Sequence, residues 1–156
     1  MDEIASVQHL NGEHSSRILD QIECCSVEKN IYWITNYYEG DDLFEHVFKH
    51  GRVEDVEAQR IIGEVVRSIQ YIHSKGIAHR DMSLENIMYH PQSKTITLVD
   101  FGVCTLVRRN ESTGRNTRQA VSDFGKEHYL APENFSMCEV DPMLCDVWAV
   151  GVCMLY

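Results

Sequence analysis

The stretch Ile77-Ala78-His79-Arg80-Asp81-Met82-Ser83-Leu84-Glu85-Asn86 decides the reading of this chain. It places a loop carboxylate, Asp81, five residues before a loop amide, Asn86, just ahead of two short apolar runs. Those runs, Ile87 to Tyr89 and Thr95 to Val99, read as a hairpin because Pro91-Gln92-Ser93-Lys94 between them has turn chemistry. Asp100-Phe101-Gly102 follows the second run directly, and Ala131-Pro132-Glu133 comes later. Upstream, Ala58, Ile61, Ile62, Val65, Val66, Ile69 and Ile72 recur at helical spacing as one stripe that should pack on the core, and the helix ends at Ser74-Lys75-Gly76.

Further toward the N-terminus, Leu43 to His50 reads as a short helix closed by Gly51. Ile18 to Cys24 and Asn30 to Tyr38 read as a hairpin across the polar stretch Ser26-Val27-Glu28-Lys29. Glu3 to Leu10 reads as a helix stopped by Asn11-Gly12. Downstream, Arg108 to Ser122 carries four arginines against one glutamate and is expected to be a mobile loop. The chain turns apolar again from Val147 to Tyr156.

At 156 residues the chain is in the single-domain range, with ordinary globular usage of 44% apolar and 24% charged residues. A net charge of −10 repels the phosphate backbone, so nucleic acid is not an expected partner. Cys24, Cys25, Cys104, Cys138, Cys145 and Cys153 contain no Cys-x-x-Cys pair and no zinc-site spacing, so they are expected to be reduced thiols, and a cysteine-based metal domain is set aside. The start Met1-Asp2-Glu3 lacks the basic flank and apolar run of a signal peptide, and no apolar stretch reaches membrane-span length. A cytoplasmic location without a membrane partner is expected, and nothing in the pattern fixes an oligomeric state.

In their order and spacing, His79-Arg80-Asp81 with Asn86, Asp100-Phe101-Gly102 and Ala131-Pro132-Glu133 resemble the eukaryotic protein kinase family. Asp146-Val147-Trp148-Ala149-Val150-Gly151 is similar to that family's buried central helix, and Ile31-Tyr32-Trp33-Ile34-Thr35-Asn36-Tyr37 to its last small-lobe strand and hinge. The resemblance implies an α+β, protein-kinase-like fold. Residues 1–38 would be a small-lobe remnant of one helix plus a hairpin with the hinge, and 39–156 the first half of a mainly helical large lobe.

The same resemblance implies transfer of the ATP γ-phosphate to protein hydroxyls with Mg²⁺. Asp81 would orient and deprotonate the hydroxyl, while Asn86 and Asp100 supply the hard oxygen donors that magnesium requires. Thr35, Asn36 and Tyr38 of the hinge, with Met88 beneath the adenine, would line the nucleotide site, and Glu3 resembles the helix glutamate that pairs with the ATP-anchoring lysine. Phe101 and His79 would pack. Arg80, beside the catalytic aspartate, suggests control by a phosphate on Ser112, Thr113, Thr117 or Ser122. Leu84-Glu85-Asn86 looks like the serine/threonine branch. Asp42 and Glu85 fall where related kinases receive basic side chains upstream of the phosphorylated residue, so a basic protein substrate is expected; Ser112, downstream of Arg108 and Arg109, fits autophosphorylation.

The chain departs from the family pattern in two places. Ser83 and Lys126 stand where serine/threonine kinases usually carry a lysine and a threonine that approach each other, so the cation is expected to have moved across the site. All five lysines (Lys29, Lys49, Lys75, Lys94 and Lys126) follow Glu3, and no glycine-rich phosphate loop is seen. The expectation is therefore the middle of a kinase domain with weakened ATP binding, its last apolar residues Val147, Trp148, Val150, Val152, Met154 and Leu155 forming an exposed patch. The alternative is a catalytically inactive, pseudokinase-like or truncated binding module.

Overall fold

The computed structural model describes residues 10, 18, 21–28, 30–121 and 125–156. Glu3, the expected helix before Leu10, the Asn11-Gly12 stop and Ser122 lie outside the described residues. Leu10 itself is helical and buried, and its carbonyl accepts the Tyr71 hydroxyl at 2.9 Å.

The first hairpin pairs β1 (Gln21–Val27) with β2 (Asn30–Thr35) in antiparallel register, Val27 opposite Asn30. The turn is tighter than the polar stretch suggested: β1 runs on through Ser26 and Val27, and Glu28 makes the turn at φ 56. Residues 36–40 then lead into β3 (Asp41–Asp42). Gly40, at φ 124, is needed there because a Cβ would run into the Tyr89 carbonyl.

Helix α1 (Leu43–His50) has the expected bounds, and both ends show why. The Asp42 carboxylate accepts the Glu45 amide at 2.8 Å, and Gly51, at φ 79, turns its N–H back to the Val47 carbonyl. Helix α2 (Asp55–Ser74) buries Ile61, Val65, Ile69 and Ile72. Val66, on the edge of the apolar stripe, is 38% exposed, because the face that meets the core is narrower than the stripe.

After β4 (Ile77–Ala78) the catalytic-type stretch leads into the expected hairpin, β5 (Ile87–His90) with β6 (Thr95–Leu98). The sheet order is β3-β5-β6, Asp42 faces Met88 across it, and Ile18 bridges to Leu98. β4 pairs with β7 (Thr105–Leu106). The arginine-rich segment is more ordered than a featureless loop. Arg109 bridges to Asn116, its Nε donates to the Gly114 carbonyl at 2.7 Å, and β8 (Gln119–Ala120) pairs with β9 (Glu139–Val140). Between β8 and β9 lies a one-turn helix, α3 (Glu133–Ser136).

The last helix, α4 (Pro142–Cys153), is capped by Asp141, whose carboxylate accepts the Met143 amide at 3.0 Å. Its inner face buries Met143, Asp146, Ala149, Val150 and Cys153 against α2 and the chain leading into the site. Val150 thus leaves the expected apolar patch and Val152 is half-buried, while Val147, Trp148, Met154 and Leu155 stay exposed. Among the described residues no helix is long and apolar enough to cross a membrane, and Cys25, Cys104, Cys138, Cys145 and Cys153 are in no disulfide.

Two charged clusters in this frame yield predictions. Asp146, only 1% exposed, accepts the His79 and Arg80 amides at 2.8 Å each and pairs with His73 Nε2 at 2.8 Å. Asp146→Ala leaves both amides without their acceptor and should cost about 3 kcal/mol; a urea-unfolding loss under about 1 kcal/mol would contradict this role. On α2, Glu57 takes the Arg60 guanidinium at 2.7 Å and the Tyr89 hydroxyl at 2.6 Å, and these bonds lower its pKa from 4.5 to about 2. The unfolded chain binds that proton more readily. The stabilisation is therefore complete above about pH 4.5 and is lost as pH falls toward 2. Urea midpoints measured against pH should fall less steeply across this window in Glu57→Gln than in the native chain.

Candidate active site

Asp146 fixes the start of the stretch 77–86. Its two oxygens hold the His79 and Arg80 amides, and Arg80 sits at φ 71, a left-handed conformation that a non-glycine residue keeps only when its surroundings impose it. The His79 ring is fully buried, and burial lowers its pKa, so the imidazole is neutral. Its two contacts fit one tautomer: Nε2–H donates to the Val99 carbonyl at 3.1 Å, and Nδ1 accepts the Asp81 amide at 3.3 Å. Buried Phe101 packs on the same ring at a centroid distance of 4.8 Å. Both expected packing residues are where the resemblance put them.

Asp81 and Asn86 are joined directly. Asn86 Nδ2 donates to the Asp81 carbonyl at 2.7 Å and to Asp81 Oδ2 at 2.9 Å, which turns the amide oxygen away from the aspartate. The Val99 amide donates to the Asn86 carbonyl at 3.0 Å, tying the residue before Asp100 to Asn86 at one end of the β5–β6 hairpin. Asp100 is exposed at φ 61, and its Oδ1 accepts the Gly102 amide at 3.2 Å. The three oxygen-bearing side chains named from the sequence are thus brought to one edge.

This donor set fits magnesium: an amide oxygen not used by Asp81 and an exposed carboxylate are both hard ligands. Among the described residues no three His, Cys, Asp or Glu side chains cluster for a metal, so a magnesium held by Asn86 and Asp100 would complete its shell with water and phosphate oxygens.

The segment after β8 covers Asp81. Gly125, at φ 93, presses on the Arg80 carbonyl so closely that a Cβ would stand 2.9 Å from it. Lys126 Nζ donates to the buried Ser83 hydroxyl at 2.7 Å and lies 3.5 Å from Asp81 Oδ2. Tyr129 is buried, and its hydroxyl lies 3.5 Å from both the Leu84 amide and Glu85 Oε2. Asp81 Oδ1 is buried without a hydrogen-bond partner among the described residues. The Asp81 residue, with Arg80, Gly125 and Lys126, is among those lining a cavity of about 40 Å³, large enough for one water.

The remaining candidates are partly gathered. Thr35 ends β2 and Asn36 follows it, while Met88 lies on β5 beside Asp42. The Tyr38 ring packs against His90 at a centroid distance of 5.8 Å. Asp42 has a structural task the sequence reading missed, because its Oδ1 caps α1. Burial lowers the pKa of Arg80, which stands next to Asp146. Gly125, Tyr129 and the anchoring role of Asp146 were also missed. A carboxylate inside the apolar run 147–156 and its approach was the signal available for Asp146.

Comparison with known proteins agrees with this geometry. Residues 1–156 match the sequence model of the protein kinase domain. The chain is 30% identical over 151 residues to a serine/threonine-protein kinase SIK3 homolog of Danio rerio, covering 96% of this chain and 12% of that protein. It is 29% identical over 152 residues to maternal embryonic leucine zipper kinase of Xenopus laevis, covering 97% and 22%. It is 30% identical over 130 residues to CBL-interacting protein kinase 8 of Oryza sativa subsp. japonica, covering 83% and 28%. The chain spans well under a third of the length of these relatives. With its loop aspartate, amide and second aspartate gathered on one edge, it belongs to the protein kinase family, of the serine/threonine type.

Proposed function

We propose that the protein transfers the γ-phosphate of ATP to serine or threonine hydroxyls of protein substrates, with Asp81 as the base that orients and accepts the hydroxyl proton. The observation that supports this reading is the chain of bonds from Asp81 through Asn86 to Val99, the residue before Asp100. Asn86 and Asp100 are the residues that would hold magnesium, whose charge would offset that of the phosphates. The protein's own part is positioning: the neutral His79 holds the Asp81 amide, and Asn86 fixes one carboxylate oxygen of Asp81. Thr35, Asn36 and Tyr38 with Met88 supply the adenine side.

Substrates with basic residues upstream of the hydroxyl suit Glu85, and Asp42 to the extent that its cap leaves an oxygen exposed. A phosphate on the loop would reach Arg80, and Ser112 is exposed on the turn that Asn110 closes. A cytosolic location, where thiols remain reduced, goes with this reading.

A second reading, a binding module without catalysis, has one observation in its favour. Lys49 pairs with Asp41, Lys75 lies over Tyr71, and Lys94 occupies the β5–β6 turn, so none of these stands beside Asp100 to hold phosphate.

The full-length protein should bind ATP more tightly with Mg²⁺ than without, and should label a basic serine peptide. Asp100→Asn should remove the Mg²⁺ dependence of ATP binding in calorimetry. Asp81→Asn should lower kcat at least about 100-fold while ATP still binds. ATP binding indifferent to Mg²⁺, together with no transfer to any basic or acidic peptide, decides for the binding module.

A further inference from the structure

In phosphoryl transfer at Asp81, the substrate oxygen forms a bond to the γ-phosphorus as the bond from that phosphorus to the bridging oxygen breaks. The electron pair leaves on ADP and the hydroxyl proton passes to the Asp81 carboxylate, with no change of oxidation state. Charge is spread over the equatorial phosphoryl oxygens at the crest of the barrier, so a cation aimed there lowers it. A hydroxyl within hydrogen-bond reach of Asp81 and in attack position puts the phosphorus about 6 Å from the carboxylate. An ammonium 3.5 Å from Asp81 Oδ2 is therefore within a side-chain swing of the equatorial oxygens.

We propose that Lys126 is a further catalytic residue, held in place by Ser83, and that its charge reaches the reacting phosphoryl group only when the segment 125–129 is docked on the catalytic loop. The inference rests on the phosphoryl-transfer reading and adds the means by which it is regulated.

Three observations on this chain carry it. The short bond of the ammonium goes to the Ser83 hydroxyl at 2.7 Å, and Ser83 is fully buried, so the lysine is held by a neutral anchor and its pairing with Asp81 Oδ2, at 3.5 Å, is the longer and looser contact. Asp81 Oδ2 already has Asn86 as donor at 2.9 Å, so the lysine is not needed to satisfy it. Lys126 also belongs to a different stretch of chain from Asp81. Its place depends on Gly125 fitting under the Arg80 carbonyl and on buried Tyr129 meeting Leu84, both of which are made or lost as a unit when this segment docks. A cation carried on the catalytic loop itself would be present always; this one is delivered.

Lys126→Met keeps the aliphatic stem and removes the charge. In the full-length enzyme kcat should fall about 10- to 100-fold, with KM for ATP changed less than about threefold. Binding of ADP, Mg²⁺ and aluminium fluoride, a mimic of the transferring phosphoryl group, should weaken by the same factor in calorimetry, while binding of ADP with Mg²⁺ alone is unchanged. Ser83→Ala should give a smaller fall in kcat. The exchange Ser83→Lys with Lys126→Thr should recover at least about tenfold over Lys126→Thr alone. Delivery is read from Gly125→Ala, which should cost less in kcat in the exchange protein than in the native one. Wild-type kcat and unchanged aluminium fluoride affinity in Lys126→Met overturn the proposal if Asp81→Asn and Asp100→Asn still show their losses. If those two also behave as wild type, the phosphoryl-transfer reading itself has failed, and the role of Lys126 with it.

Discussion

A single desolvated carboxylate sets the geometry on which the site depends. Asp146, on α4, is 1% exposed and receives the consecutive amides of His79 and Arg80 together with the His73 ring from α2. Removing an ionised carboxylate from water is costly, and the cost is recovered only where its lone pairs meet well-placed donors. Two adjacent main-chain amides can both point at one carboxylate only if the chain turns sharply, and φ 71 at Arg80 is that turn. The strain and the buried charge each account for the other. Together they aim the chain so that Asp81 emerges beside Asn86.

The rest of the site follows by short steps from that anchor. Once the His79 ring is buried and neutral, its two nitrogens can serve one donor and one acceptor, and they link the Asp81 amide to the Val99 carbonyl. Val99 in turn donates to the Asn86 carbonyl, so the open end of the β5–β6 hairpin is tied shut beside the same ring. Asp100 leaves the hairpin at φ 61, a conformation aspartate tolerates better than most residues, and its side chain stays exposed. Asp81 and Asn86 are thus set by part-buried bonds, while the Asp100 carboxylate is held by an exposed bond from the Gly102 amide.

Local pattern revealed the elements whose causes are local. The bounds of α1 were readable because Asp42 and Gly51 are cap residues adjacent in sequence to what they cap. The β5–β6 hairpin was readable from its turn. What escaped depends on partners far along the chain. β8 is two residues long and exists only because β9 lies opposite it, and Val66 falls off the core because α2 meets its neighbours on a narrower face than its stripe. The cap duty of Asp42 hid behind its acidic charge, and the anchoring duty of Asp146 behind the apolar helix around it. The relation of Lys126 to Ser83 was legible as a departure in letters, but only the 2.7 Å bond shows that the two meet.

The molecule divides its site between two kinds of support. The stretch from His79 to Asn86 is held by a buried carboxylate, a buried ring and the β5–β6 hairpin, so opening it means opening the core. The stretch from Arg108 to Val121 is held mainly by exposed backbone bonds, a two-residue strand pair and turns around Asn110. Local opening free energy scales with the buried apolar contact that must be broken, so the second half can detach at a fraction of the cost of the first. Asp81 and Asn86, the proposed base and one proposed metal donor, are on the costly half. The ammonium of Lys126 follows the cheap half in sequence and reaches across to the costly one through Ser83. With the role proposed for Lys126, the placement of that one charge would link the arrangement of an exposed, arginine-rich loop to the half-buried Asp81.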